Sequence, residues 1–384
     1  MKGILSGERG KTGAPRVRVA FSGLGRLEAV TQEGVGYKPE NQDAIAWVKT
    51  PNGDIFLIDI DGMGGYAHGK EAANFAATTM VELLTAGQCF AEAADTINEQ
   101  IQQLYPDAGA AVVAVQITPS IEASQPHRAQ VHWAGDARLL ILRENADGAW
   151  SWVYRSSDDS WAKSVVDSGI NQGLNEARYR TQVISLHPMG HIITNGLGKD
   201  GYHLNTTPDG ELPGRESSAG GCTSAEGLEA VELYEGDLVV LFSDGVGDNY
   251  LRTQHLLNLL ETAENETDAV NRIYEESMYK MKVLKTARDS RACAADERFS
   301  FTYEGQSPHL RGRTLWADGH GTVWDDPEQG EVVAKFKADN ISVMALHVGN
   351  GEGELSNEPS ERPLFAWVRS AVTWVRSCIR RESD

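Results

Sequence analysis

Cysteine is scarce in this chain: Cys89, Cys222, Cys293 and Cys378 are scattered over 384 residues with no CxxC pair among them. That spacing indicates neither a cysteine zinc site nor a disulfide framework, and it suits a reducing compartment. No apolar run reaches the roughly 18 residues of a membrane span. The opening MKGILSGERGKTGAP lacks the apolar core of a secretory signal. A cytoplasmic location is the expectation. Positive charge is also in short supply, with 35 lysines and arginines against 55 acidic residues and a formal charge of −20. This excludes a general nucleic-acid binder, whose affinity would come from neutralising phosphates. Neither GxxxxGK[ST] nor HExxH occurs, which removes a nucleotide-cradling loop and a helix-borne zinc hydrolase site.

What is present is enough apolar sequence, 41% of residues, to bury a substantial core. β-Rich runs recur: RVRVAFSG, DAIAWVKT, GDIFLIDI, AAVVAVQIT, AQVHWAGDARLLILRE, WSWVYRS, EAVELYEGDLVVLFSDG and ISVMALHV, with glycine, asparagine and aspartate between them. Helical periodicity is confined to 70–84, 90–104, 254–260 and 269–284. Strands in groups, interrupted by helices in pairs, predict an α+β arrangement rather than regular βαβ alternation. No internal repeat is visible. Stretches 199–223 and 287–329 read as long loops or insertions, and 349–363 has the composition of a linker.

One stretch asks for chemistry. LIDIDGMGGYAHGK runs from an apolar strand to a carboxylate and then spends four glycines in eight residues before a helix, more than a turn alone requires. Asp61 is not alone in such a setting. Asp43 in ENQDA, Asp136 in WAGDARLLIL, Asp244 and Asp248 in LFSDGVGD, and Asp339 in KADNISVMAL all stand beside small residues at strand ends. Carboxylates held at the rim of a sheet suit hard cations, which take one or two carboxylates each and fill the remainder with water. Each motif alone is an ordinary turn far more often than a metal site.

Taken in order, the N-[EQ]-D, D-G-x-G-G, G-D-x-R, S-D-G-x-x-D and D-N elements resemble those of the metal-dependent serine/threonine phosphatases of type 2C, over roughly 16–348, most of the chain. The resemblance implies two antiparallel β-sheets packed as a central sandwich flanked by helices. It implies hydrolysis of phosphoserine or phosphothreonine by a hydroxide bridging two manganese or magnesium ions, with a weaker third ion in many members and no covalent intermediate. Carried over by position, Asp61 corresponds to the metal-bridging carboxylate and the Gly62 carbonyl to a ligand of the second ion. Asp244 and Asp339 correspond to ligands of the first, Asp43 to the outer-shell residue that holds bound water, and Asp136 with Asp248 to the third-ion positions. A phosphoprotein substrate and an opposing serine/threonine kinase are the implied partners.

The chain departs from the family in places. Lys38 stands where an arginine usually grips phosphate, keeping the charge and losing the bidentate fork. Met63 occupies the position where some members carry a histidine that protonates the leaving group, while nearby His68 reads as a solvated or capping group. Arg138 is expected to stabilise the acidic loop around it. A cysteine phosphatase fails on spacing, because Arg298 follows Cys293 by five and no histidine precedes it. The alternative of a different class is a pseudophosphatase acting as a binding or scaffolding module, but such proteins lose metal carboxylates and every principal acidic position is filled here. Residues 1–15 are expected to be a flexible N-terminus, 16–348 the phosphatase-like domain and 364–381 an amphipathic helix. The arginines of that helix, opposite two tryptophans, suit a protein partner, its own domain or an anionic membrane surface.

Overall fold

The computed structural model describes residues 1–6, 14–35, 40–63, 68–122, 124–171, 187, 189–190, 192–213, 222–250, 253–289, 298–326 and 332–349. The linker expected at 349–363, apart from its first residue, the helix expected at 364–381 and Lys38 lie outside the described residues.

Among the described residues the strands, numbered along the chain, form three antiparallel sheets. The first follows the order β1 (Lys2–Ser6), β4 (Asp43–Lys49), β5 (Ile55–Gly62), β6 (Ala110–Thr118), β7 (His127–Ala134) and β10 (Asn205–Thr206), with β13 (Val231–Leu233) also on β7. The second runs β12 (Cys222–Ser224), β11 (Glu211–Pro213), β9 (Trp150–Arg155), β8 (Arg138–Glu144), β14 (Leu238–Phe242), β19 (Ile341–Val348), β3 (Gly25–Gln32) and β2 (Arg16–Phe21). The third is small: β15 (Phe299–Thr302), β16 (Thr314–Ala317), β17 (Thr322–Trp324) and β18 (Val332–Lys335).

Period-two alternation explains the layering. Ile45, Trp47, Ile55 and Leu57 of the first sheet meet Phe21, Leu27, Leu139, Leu241 and Met344 of the second in a shared core. The intervening residues Phe56, Ile58 and Ile60 face the other way, onto α1 (Gly69–Thr85) and α2 (Phe90–Leu104), which present Ala72, Ala76, Met80 and Ile97. On the far side, Val240, Phe242, Val343 and Ala345 pack against helices Thr253–Leu260 and Glu266–Asp289. The result is an α-β-β-α sandwich of the expected class. Each large aliphatic side chain buried in these layers contributes roughly 1.5–3 kcal/mol of transfer free energy.

Four stretches differ from expectation. The supposedly flexible 1–15 contains β1, whose backbone pairs with β4 from Lys2↔Val48 to Ser6↔Ala44. An exposed sheet edge offers unpaired donors and acceptors, and this short strand satisfies them. The helix read at 269–284 extends to Glu266–Asp289, because Glu266 and Asp268 in its first turn and Arg288 in its last suit the helix dipole without being apolar. Much of 287–329, read as a loop or insertion, builds the third sheet, which packs on the same long helix through Tyr279, Val283, Phe299, Phe301 and Phe336. Its strands are only three or four residues long, too short for alternation to stand out among polar neighbours. Stretch 199–223 contributes β10, β11 and the start of β12 to the margins of the main sheets. Among the described residues, no helix is long and apolar enough to cross a membrane.

Candidate active site

The inner row of β5 changes character along its length. Ile55 and Leu57 are core residues, and the next two side chains on that face are Asp59 and Asp61. Asp59 is fully buried, and its Oδ1 accepts a 2.6 Å hydrogen bond from the Ser342 hydroxyl across the sandwich. Its other oxygen has no partner, and burial pushes its pKa up to about 7. Asp61 lies opposite Asp43 in the antiparallel register. The two sheets thus converge at one end of the sandwich on acidic rather than apolar groups.

Asp43 is 2% exposed, and neither of its carboxylate oxygens has a partner. Burial raises its pKa well above the ordinary range, and the charges of Asp59, Asp339 and Asp244 raise it further, against a smaller lowering by the Ser243 hydroxyl. Asp61 is raised in the same way, by burial and then by Asp43, Asp244 and Asp339. Asp136, in the turn before β8, is buried with its Oδ1 unpartnered, and burial followed by Asp244 and Asp248 raises it too. These side chains come from five separate stretches of chain and repel one another, so without a cation their ionised state is unfavourable.

The approach of the stretches depends on glycine at two positions. A β-carbon on Gly62 would lie 2.3 Å from the Gly69 carbonyl oxygen and 2.7 Å from that of Gln42. One on Gly245 would lie 1.8 Å from the Asn340 oxygen. The first contact brings the end of β5 against the starts of β4 and α1. The second brings the Asp244–Gly247 turn of helix against the Asp339–Asn340 turn. The glycine after Asp61 therefore serves backbone packing.

The other half of the cluster is charge-compensated. The Lys337 ammonium donates to Asp244 and lies 3.2 Å from Asp248 and 3.3 Å from Asp339. Arg138 donates 2.9 and 2.8 Å hydrogen bonds to Asp158 and a 2.8 Å bond to Asp248, the loop-stabilising part expected of it. Burial would raise the pKa of Asp248, but Lys337 and Arg138 outweigh burial and hold it well below the ordinary range. Asp339 is raised to about 6, burial outweighing Lys337. Among the described residues, no three histidine, cysteine, aspartate or glutamate side chains close into a metal cage. In the Asp244, Asp248 and Asp339 group, the lysine nitrogen stands between the carboxylates.

All six acidic side chains singled out in the sequence, with Gly62 between them, therefore sit at one end of the sandwich. Met63 is buried, with its sulfur against Gly109. His68 precedes α1 with φ 70° and makes no cap hydrogen bond; its ring is exposed and lies 3.8 Å from Glu71. Sequence reasoning passed over Asp59, Lys337 and Asp158. For Asp59 the signal was present, since alternation in LIDID puts it on the face of Asp61. Lys337 and Asp158 become visible only through their partners.

The sequence model for protein phosphatase 2C matches residues 38–281. The chain belongs to the protein phosphatase 2C family. Its enzyme class is therefore that of the protein serine/threonine phosphatases, and its substrates are phosphoproteins. Solved phosphatases agree with this chain in fold. A serine/threonine phosphatase from S. agalactiae is 19% identical with a TM-score of 0.50, the match covering 84% of this chain and 100% of that one. Stp1 of Staphylococcus aureus is 15% identical with a TM-score of 0.50, covering 84% and 94%. A bacterial serine phosphatase is 14% identical with a TM-score of 0.51, covering 84% and 97%. No curated protein sequence matches the chain.

Proposed function

We propose that this phosphatase 2C chain removes phosphate from phosphoserine and phosphothreonine with the help of two divalent ions, manganese or magnesium, and a weaker third. One observation carries the reading: Asp43, which faces Asp61, and Asp136 hold buried carboxylate oxygens with no partner. The donor set fits such ions. It is all oxygen, as hard cations require, and each ion needs only one or two carboxylates with water for the rest, so a three-carboxylate cage is not demanded. When bound, the ions would supply an activated water and positive charge for the phosphoryl oxygens.

In this reading Asp61 would help to hold both ions, the Gly62 carbonyl would help to hold one, and Asp244 and Asp339 the other. Asp43 would position water beside them, while Asp136 and Asp248 would hold the weaker third ion. The raised pKa values of Asp43, Asp61 and Asp136 support it, because a divalent ion relieves the repulsion that raises them. Lys38 is the phosphate-gripping residue of the proposal, a point charge where a fork would hold the phosphoryl group more rigidly. Met63 has no proton to give, so the leaving oxygen takes its proton from solvent water in the site. An opposing kinase is the natural source of the substrate.

The test is phosphopeptide hydrolysis by the full chain and by Asp61→Asn and Asp244→Asn, with and without a chelator. Turnover should need the divalent ion and vanish in both variants while their circular dichroism stays native. Undiminished turnover in either variant would contradict the reading, and a wild-type chain that binds phosphopeptide without hydrolysing it would identify a scaffold.

A further inference from the structure

The two halves of the acidic cluster differ in what faces them. Asp43 and Asp136 keep unpartnered buried oxygens. Asp244, Asp248 and Asp339 all lie around one ammonium, that of Lys337. The lysine is not a loose surface residue. Its backbone N–H donates to Asn249 Oδ1 at 2.9 Å, and Asn249 Nδ2 donates to the Gly245 carbonyl at 2.6 Å. The Asn249 carbonyl in turn accepts from the buried Lys280 at 2.7 Å. The peptide carrying Lys337 is thus clamped to the turn that carries Asp244, with β18 of the third sheet ending two residues earlier.

We propose that Lys337 is a tethered cation that competes with a divalent ion for the Asp244 and Asp339 half of the centre, so that this half loads metal only when the ammonium withdraws. The inference rests on the metal-dependent reading above. A magnesium ion sits about 2.0–2.1 Å from its oxygens, and the Lys337 nitrogen already holds the position between these carboxylates, 3.2 Å from Asp248 and 3.3 Å from Asp339. Both cations cannot take the same oxygens. The lysine side chain keeps 19% of its surface exposed, which leaves it a path toward solvent without unfolding the site. The cluster thereby tolerates metal-free conditions on its compensated side, at the cost of weaker metal binding there.

Isothermal titration of manganese into the chelator-treated full chain tests this, comparing wild type with Lys337→Met, Lys337→Gln and Lys337→Arg. Removing the ammonium should tighten one class of site about ten-fold or more, and the arginine variant should stay close to wild type. Thermal melts should show a larger manganese-induced rise for the methionine and glutamine variants than for wild type. If Lys337→Met does not fold, Lys337→Gln decides. Equal or weaker manganese binding in the variants would overturn the inference while leaving metal dependence intact. No binding by any form, with no manganese-dependent hydrolysis, would overturn the metal-dependent reading and the inference together.

Discussion

Asp43 and Asp61 stand directly across from one another on neighbouring antiparallel strands, at the point where the inner face of the sandwich passes from apolar to acidic. Burial and the neighbouring carboxylates both raise Asp61, so its negative charge destabilises the metal-free fold even as it serves the site. Asp61→Asn is expected to abolish turnover, because the amide removes a charged oxygen donor for the ions. It should also raise the metal-free stability, because a neutral amide is not penalised by burial among the other acids. Steady-state kinetics paired with chemical denaturation in chelator checks both signs, and a destabilised variant would show that the carboxylate is structural.

The Ser342 hydroxyl is the partner that Asp59 has across the sandwich, at 2.6 Å. Ser342→Ala leaves that buried carboxyl without its partner across the sandwich and should cost about 1–3 kcal/mol. Asp59→Asn in the same background should recover part of the loss, which a double-mutant denaturation series would measure.

His132 supplies a pH dependence far from the acids. Its ring stacks on Phe90 with centroids 4.8 Å apart, and neither ring nitrogen has a partner. Burial lowers its pKa from 6.5 to about 4. The unfolded chain therefore takes up the proton first as pH falls. The histidine's contribution is whole above pH 6.5 and is lost progressively toward pH 4, a difference of roughly 3 kcal/mol. His132→Leu should flatten the stability profile between those limits in urea titrations at stepped pH. An unchanged slope would place the acid sensitivity elsewhere.

The third sheet hangs on a buried charge. Glu276, fully buried in the long helix, accepts from the Tyr303 and Ser307 hydroxyls and from the Gln306 N–H at 2.7 Å, and lies 3.6 Å from the Lys280 ammonium. Glu276→Ala strands Lys280 without its counter-charge and should cost about 3–5 kcal/mol. Hydrogen exchange should show β15 and β16 losing protection before the main sandwich does. Simultaneous loss across all three sheets would mean that the small sheet unfolds with the rest.

How much of this was legible in the sequence follows from the range of each signal. The sandwich and its flanking helices were readable because their side chains alternate over long runs: AAVVAVQIT alone specifies both faces of β6. The acids were readable because each stands at the end of such a run, in an order shared with a known family. The third sheet was not, since β16 and β17 are held by Trp316↔Trp324 and Ala317↔Val323 pairing rather than by any run of their own. Lys337 was not readable either. A lysine two positions before an aspartate looks like a solvated charge until the fold brings Asp244 and Asp248 around it.

Anomalous diffraction from crystals of the full chain grown in manganese tests the central claim most directly. The account predicts anomalous peaks at the end of the sandwich with the Asp61 carboxylate as a shared ligand, and their loss in Asp61→Asn. An enzyme that hydrolyses phosphopeptides in the same manganese solution yet shows no peak among Asp43, Asp61, Asp136, Asp244 and Asp339 would contradict it.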